Sequence, residues 1–136
     1  MTFIDRIKES EGYRARVYKC TANYDTIGYG FAIKDLELSK RVCDIIAEEK
    51  EQKLIKELST FDWFDSAPKL IQEVVKEMDY QLGYTGFTKF KKTIYYLETE
   101  QYSEAADEML DSLWARQTPN RAKRLSEEVR SCEKNR

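Results

Sequence analysis

A chain of 136 residues is long enough for one domain with a real core and too short for two independent ones. Apolar residues at 41%, with nine Tyr, six Phe and two Trp, exclude a disordered chain, and a net charge of −2 excludes the strongly basic surface of a nucleic-acid binder. The absence of histidine removes Ser-His and Cys-His triads together with the commonest metal ligand, so acid-base chemistry must rest on carboxylates, thiols or tyrosines.

Residues 2–13 place Phe3, Ile4 and Ile7 at helical spacing after Thr2, a suitable N-cap, and Gly12 ends the helix. This charged segment has no apolar run of signal-peptide length and no later stretch is long enough to span a bilayer, so the expected product is a soluble protein made in the cytoplasm, without membrane insertion. From Ala15 to Ile33 the texture changes. Val17, Tyr18, Thr26, Ile27, Tyr29 and Phe31 are β-branched or aromatic, and Asn23, Gly28 and Gly30 interrupt them, which predicts a small hairpin-based sheet too small to stand alone.

Ser39 caps a predicted helix running to about Leu58, apolar at both ends and charged from Glu48 to Lys53. That pattern suits a connector between lobes, though an ordinary surface helix would read the same way. Pro68 opens the next helix, in which Leu70, Ile71, Val74, Val75, Met78 and Leu82 keep the 3.6 period and mark the central core element. Shorter helices are predicted at 91–99 and 102–116, and Thr118-Pro119 starts a last helix to about Arg130. Trp114 and the Tyr95-Tyr96 pair read as core aromatics. From Trp114 to Arg136 seven basic residues face three acidic ones, which suits either an anionic ligand or a solvated helix of mixed charge.

Three cysteines, Cys20, Cys43 and Cys132, have neither CxxC spacing nor a partner set for zinc, so no metal site and no disulfide framework is expected. The informative stretch runs from Glu11 to Gly30. It sets a carboxylate at a helix end, then the Cys20 thiol, then the Thr26 hydroxyl, followed by Ile27-Gly28-Tyr29-Gly30. Glu11, Cys20 and Thr26 have the spacing Glu, eight residues, Asp or Cys, five residues, Thr, and in this the chain resembles the phage-type lysozymes. A second block, Trp114 to Arg124, resembles the start of the last helix in that family, and Gln81 to Gly86 with Phe90 resembles the end of its core helix and the following turn. The sequence is shorter than the family norm between Gly30 and Ser39.

The resemblance implies an α+β lysozyme-like fold forming one domain over 1–136. The sheet lobe would cover about 13–36, the connecting helix about 39–58, and the helical lobe 1–12 plus 61–136. It implies hydrolysis of the β-1,4 bond between N-acetylmuramic acid and N-acetylglucosamine in peptidoglycan glycan strands, by a monomer that needs no cofactor. In a phage such an enzyme would act as an endolysin once the membrane is breached. Glycoside cleavage asks for a proton on the leaving oxygen and for a nucleophile or water opposite it, usually from two carboxyl groups. Glu11 is the expected acid. Cys20 and Thr26 would either position water for inversion, the family norm, or supply a thiolate that attacks with retention. An unperturbed thiol beside a carboxylate should be mostly neutral at pH 7, which favours the first route. Asp25 reads as a solvated turn residue rather than a second carboxylate.

By the same resemblance Gly30, Ala32, Tyr80, Gln81 and Thr93 line the substrate site, and Arg121 supports Glu11. Phe31 stands where the family commonly has histidine. A catalytically weak lysozyme-like module that binds peptidoglycan is the alternative from another class, and attack by the muramic hydroxyl instead of water is a third.

Overall fold

The computed structural model describes residues 1–134; Asn135 and Arg136, the end of the basic C-terminal stretch, lie outside it. Among the described residues the fold is α+β and mostly helical, with seven α-helices and one three-stranded antiparallel sheet, as expected. Its contacts divide the chain into two compact units, Met1–Asp44 and Ile45–Arg136.

The first unit opens with α1, Phe3–Glu11. Thr2 and Asp5 form a reciprocal capping box, in which the Thr2 amide donates to Asp5 at 3.0 Å and the Asp5 amide donates to the Thr2 hydroxyl at 3.1 Å. Gly12 ends the helix with a φ of 69° while its amide still donates to the Lys8 carbonyl. Strands β1 (Arg14–Lys19), β2 (Asp25–Gly28) and β3 (Phe31–Ala32) follow in spatial order β1-β2-β3, and a 3-10 turn covers Ile33–Asp35. Tyr18 pairs with Thr26 and Thr26 with Ala32, so Thr26 stands on the central strand. Between Arg14 and Tyr18 the register of β1 against β2 shifts, which marks a bulge.

Residues 1–12 fall in the same unit as the sheet. Helix α1 buries none of its residues, and Phe3 remains 74% exposed.

Helix α2, Lys40–Leu58, begins in the first unit and continues into the second. Its start is capped as predicted, with the Val42 amide donating to Ser39 Oγ at 3.2 Å. In the second unit α3 (Lys69–Thr88) supplies Ile71, Val74, Val75, Met78 and Phe87 to the core, with α4 (Lys91–Glu98), α5 (Tyr102–Leu110), α6 (Leu113–Gln117) and α7 (Pro119–Ser131) packed around them. Burial of large apolar side chains, each worth roughly 1.5–3 kcal/mol, holds this unit together.

One boundary and one cap differ from those predicted. The stretch 102–116 is two helices, because Ser112 adopts an extended backbone and its hydroxyl accepts the Ala115 amide, starting α6 afresh. Gly83, which the sequence marks as a separator, does break the helical path inside α3, with φ 77° and ψ 158°. Thr118 precedes Pro119 as predicted, yet its hydroxyl donates back to the Trp114 carbonyl at 2.9 Å and caps nothing. Trp114 is buried, but of the Tyr95-Tyr96 pair only Tyr96 packs on the core while Tyr95 is largely exposed.

Candidate active site

Glu11 is the last residue of α1, so the capping of that helix and the turn at Gly12 fix where its backbone ends. Its carboxyl lies against the β2–β3 turn. A Cβ added to Gly30 would stand 2.5 Å from Glu11 Oε2 and 2.8 Å from its Cδ, so the acid occupies the space over that glycine. Gly30 itself has a φ of 74°, a left-handed conformation that glycine adopts without strain.

Cys20 stands at the start of the loop that joins β1 to β2, one residue beyond the strand. Its amide donates to the Tyr24 carbonyl and the Asn23 amide donates to the Cys20 carbonyl, at 3.0 and 2.8 Å, closing a turn in which Asn23 is left-handed. Backbone hydrogen bonding from Tyr24 holds the Cys20 thiol below its ordinary pKa, with Ala22 and the Thr26 hydroxyl acting the same way against an opposing desolvation. The thiol is therefore not unperturbed, as the sequence had it: the turn surrounds the sulfur with donors that the sequence alone does not locate.

Thr26 is 3% exposed, and its Oγ1 donates to the Tyr24 carbonyl at 2.9 Å. That hydroxyl carries one proton and has two neighbours able to accept it, the Tyr24 carbonyl and the Cys20 sulfur. Ala32 is its cross-strand partner on β3. Glu11, Cys20, Thr26, Gly30 and Ala32 thus belong to one unit, linked by the packing of Glu11 on Gly30, the Thr26–Ala32 pairing and the hydrogen bonding of Cys20. Asp25 forms an ion pair with Lys19 at 2.7 Å and stays half exposed, as a solvated residue should.

The remaining expected residues lie in the second unit and do not share one cavity. Tyr80 is exposed and lines a cavity of about 400 Å³ with Glu51, Glu77 and Arg124. Thr93 is almost fully buried and borders a different cavity of about 610 Å³, with Phe90, Leu113 and Trp114. Gln81 accepts a hydrogen bond from Trp114 Nε1 at 2.9 Å, which fixes its side-chain amide.

Arg121, expected beside Glu11, donates from Nε to Glu77 Oε2 at 2.7 Å, and Arg124 Nη2 donates to the same oxygen at 2.6 Å. Burial pushes the Glu77 carboxyl up, but the hydrogen bonds and charges of the two arginines outweigh it and hold the group below its ordinary value. With the Arg130–Asp107 and Arg124–Glu128 pairs, this ties three arginines of α7 to carboxylates on α3, α5 and α7 itself. Sequence reasoning missed Glu77 because its partners lie more than forty residues away and leave no local pattern.

Asp79 was also missed. It is 1% exposed, its Oδ2 has no hydrogen-bond partner, and burial, with a smaller contribution from Glu57 and against Lys53, pushes its pKa up to about 6. Its signal was available, since residue 79 follows Val75 by four positions on the core face of α3. No group of three or more metal-ligating side chains occurs among the described residues, and no helix there is long and apolar enough to cross a membrane.

The model of the family described as Phage lysozyme matches residues 8–129. Two relatives from Dictyostelium discoideum, "Probable T4-type lysozyme 1" and "Probable T4-type lysozyme 2", are 29% and 30% identical, each alignment covering 89% of this chain and 89% of the relative. An "Endolysin" of Bacillus phage B103 is 32% identical over 79% of this chain and 42% of that protein. The family match spans the end of α1, the whole sheet and nearly all of the second unit, including every residue of the constellation from Glu11 to Ala32. This chain belongs to the phage lysozyme family and is a lysozyme-like glycoside hydrolase.

Proposed function

We propose that the protein is a muramidase cleaving the β-1,4 bond between N-acetylmuramic acid and N-acetylglucosamine, with Glu11 as general acid. The observation that carries this reading is the seat of Glu11: a carboxyl at a capped helix end, lying on a glycine turn of the sheet that also bears Thr26 and follows Cys20. Glu11 protonates the departing glycosidic oxygen. Thr26 and Cys20 hold the water that attacks the opposite face of the sugar, giving inversion, and the proton this water sheds passes to the Cys20 thiolate or to solvent. In this reading Ala32, Tyr80, Gln81 and Thr93 line the substrate site, and the protein acts as a monomer without cofactor.

A second route is favoured by one observation, the downward push on the Cys20 thiol. A larger thiolate fraction makes direct attack on the anomeric carbon more accessible, with a covalent intermediate and retained configuration. The anomeric configuration of the first product, followed by NMR during early turnover, separates the routes; a retained anomer would remove the water-positioning role.

The biological role that fits is that of an endolysin, made in a host cell and reaching the wall after the membrane is permeabilised. Support comes from the phage lysozyme family and from the endolysin relative. Clearing of purified cell-wall suspensions by the wild type and by Glu11→Gln tests the catalytic assignment. A loss on the order of 10²-fold or more is expected. Undiminished clearing by the variant, or none by the wild type, would favour a glycan-binding module instead.

A further inference from the structure

Gly30 invites an obvious role: a glycine at the substrate site lets a sugar ring approach the backbone. The space where its side chain would stand is already filled, however. A Cβ there would lie 2.5 Å from Glu11 Oε2, 2.8 Å from Cδ and 3.1 Å from Cγ, so three successive atoms of one side chain follow the bare backbone of the turn. Gly28 provides the comparison. It has nearly the same backbone, φ 70° against 74°, but its missing Cβ leaves room for the Phe31 ring at 2.8 Å and not for Glu11.

We propose that Gly30 is a positioning residue for Glu11: it must be glycine because the carboxyl of the acid rests where a side chain would begin. This rests on the reading of Glu11 as the general acid. Glutamate is flexible, so a residue with a Cβ at position 30 displaces the carboxyl by rotating its χ angles rather than by breaking the sheet. Displacement costs little in folding and much in chemistry, because proton transfer requires the acid within hydrogen-bond reach of the leaving oxygen. A misplacement of about 1 Å can cost on the order of 10²-fold in rate. The left-handed backbone at both glycines adds a strain common to either substitution, and Gly28→Ala meets the Phe31 ring instead of Glu11, which makes it the control for a strained and crowded turn that leaves the acid alone.

The experiment compares Gly30→Ala, Gly30→Asn and Gly28→Ala in the full chain. Asparagine carries the same Cβ yet tolerates left-handed backbone, so it keeps a folded variant within reach. Two readouts are taken: kcat and KM on soluble peptidoglycan fragments, and the ¹³C resonance of the Glu11 side-chain carboxyl. Both Gly30 variants are expected to move the Glu11 resonance and to lower kcat on the order of 10²-fold with KM within about two-fold, while Gly28→Ala leaves the resonance in place. An unmoved resonance overturns the proposal, as does a loss confined to KM, which would mark a sugar contact. Failure of both Gly30 variants to fold while Gly28→Ala folds also overturns it, because the cost would then lie in the turn itself. If the resonance moves but Glu11→Gln keeps full activity, the positioning stands and the assignment of Glu11 as acid fails.

Discussion

Arg121 donates to Glu77 Oε2 at 2.7 Å, tying the first turn of α7 to the middle of α3. Arg124 reaches the same oxygen, so one carboxylate answers two guanidinium groups. Replacing Glu77 with Gln keeps the shape and removes the charge. The pair is partly exposed, and solvent screening limits the expected loss to about 1 kcal/mol, measured by urea unfolding at pH 7. Because the folded carboxyl titrates below its unfolded value of 4.5, its contribution is present above that pH and disappears as pH falls through the lowered folded value. Glu77→Gln should therefore weaken the protein at neutral pH and converge with the wild type in acid.

Asp79 has the opposite sign. Its folded pKa of about 6 exceeds the ordinary 3.8, so the buried carboxyl keeps its proton while the unfolded chain loses it. Stability from this group falls as pH rises from about 4 to about 6 and levels off above. Asp79→Asn should flatten that slope and stabilise the protein at pH 7 on the order of 2 kcal/mol, read from urea midpoints between pH 4 and 8. A variant that merely tracked the wild type across this range would show that Asp79 does not titrate differently on folding.

Cys20 should react as an activated thiol. In a Cys43→Ser background, which removes the exposed cysteine, the rate of alkylation by iodoacetamide is expected to reach half its plateau at a pH below that of an ordinary thiol. Thr26→Val, which removes the hydroxyl, should shift that midpoint upward. Mass spectrometry of the labelled peptide against pH gives both curves.

Thr2 caps the end of α1 opposite to Glu11. Thr2→Ala removes one half of the capping box, and loss of such a cap costs about 1 kcal/mol of helix stability. Amide exchange along residues 3–11 should accelerate, and cell-wall clearing should fall several-fold even though position 2 touches no expected site residue. Faster exchange with unchanged clearing would separate the order of α1 from the placement of its last side chain.

Much of this was legible because local chemistry decided it. Thr2, Gly12, Ser39 and Pro68 mark helix ends through caps or fixed dihedrals, and the run Ile71, Val74, Val75, Met78 fixes the core face of α3 by period alone. The spacing of Glu11, Cys20 and Thr26 carried the family, which the match over residues 8–129 bears out. What sequence could not supply depends on groups brought together by folding. The donors around the Cys20 sulfur come from a turn closed by Tyr24, Glu77 is met by a helix far along the chain, and the filling of the space at Gly30 depends on a side chain nineteen residues earlier. Ser112 stands between: its capping chemistry was readable, but the surrounding helical period masked it.

Among residues 1–44 the single buried residue is Thr26, and it is polar. The apolar cluster of the protein is built wholly from Leu58 onward. Segments lacking buried apolar contacts are those that open locally at the lowest free energy. Heating should accordingly inactivate the enzyme reversibly, through fraying of its first forty-odd residues, at temperatures where the helical signal in circular dichroism is still almost intact.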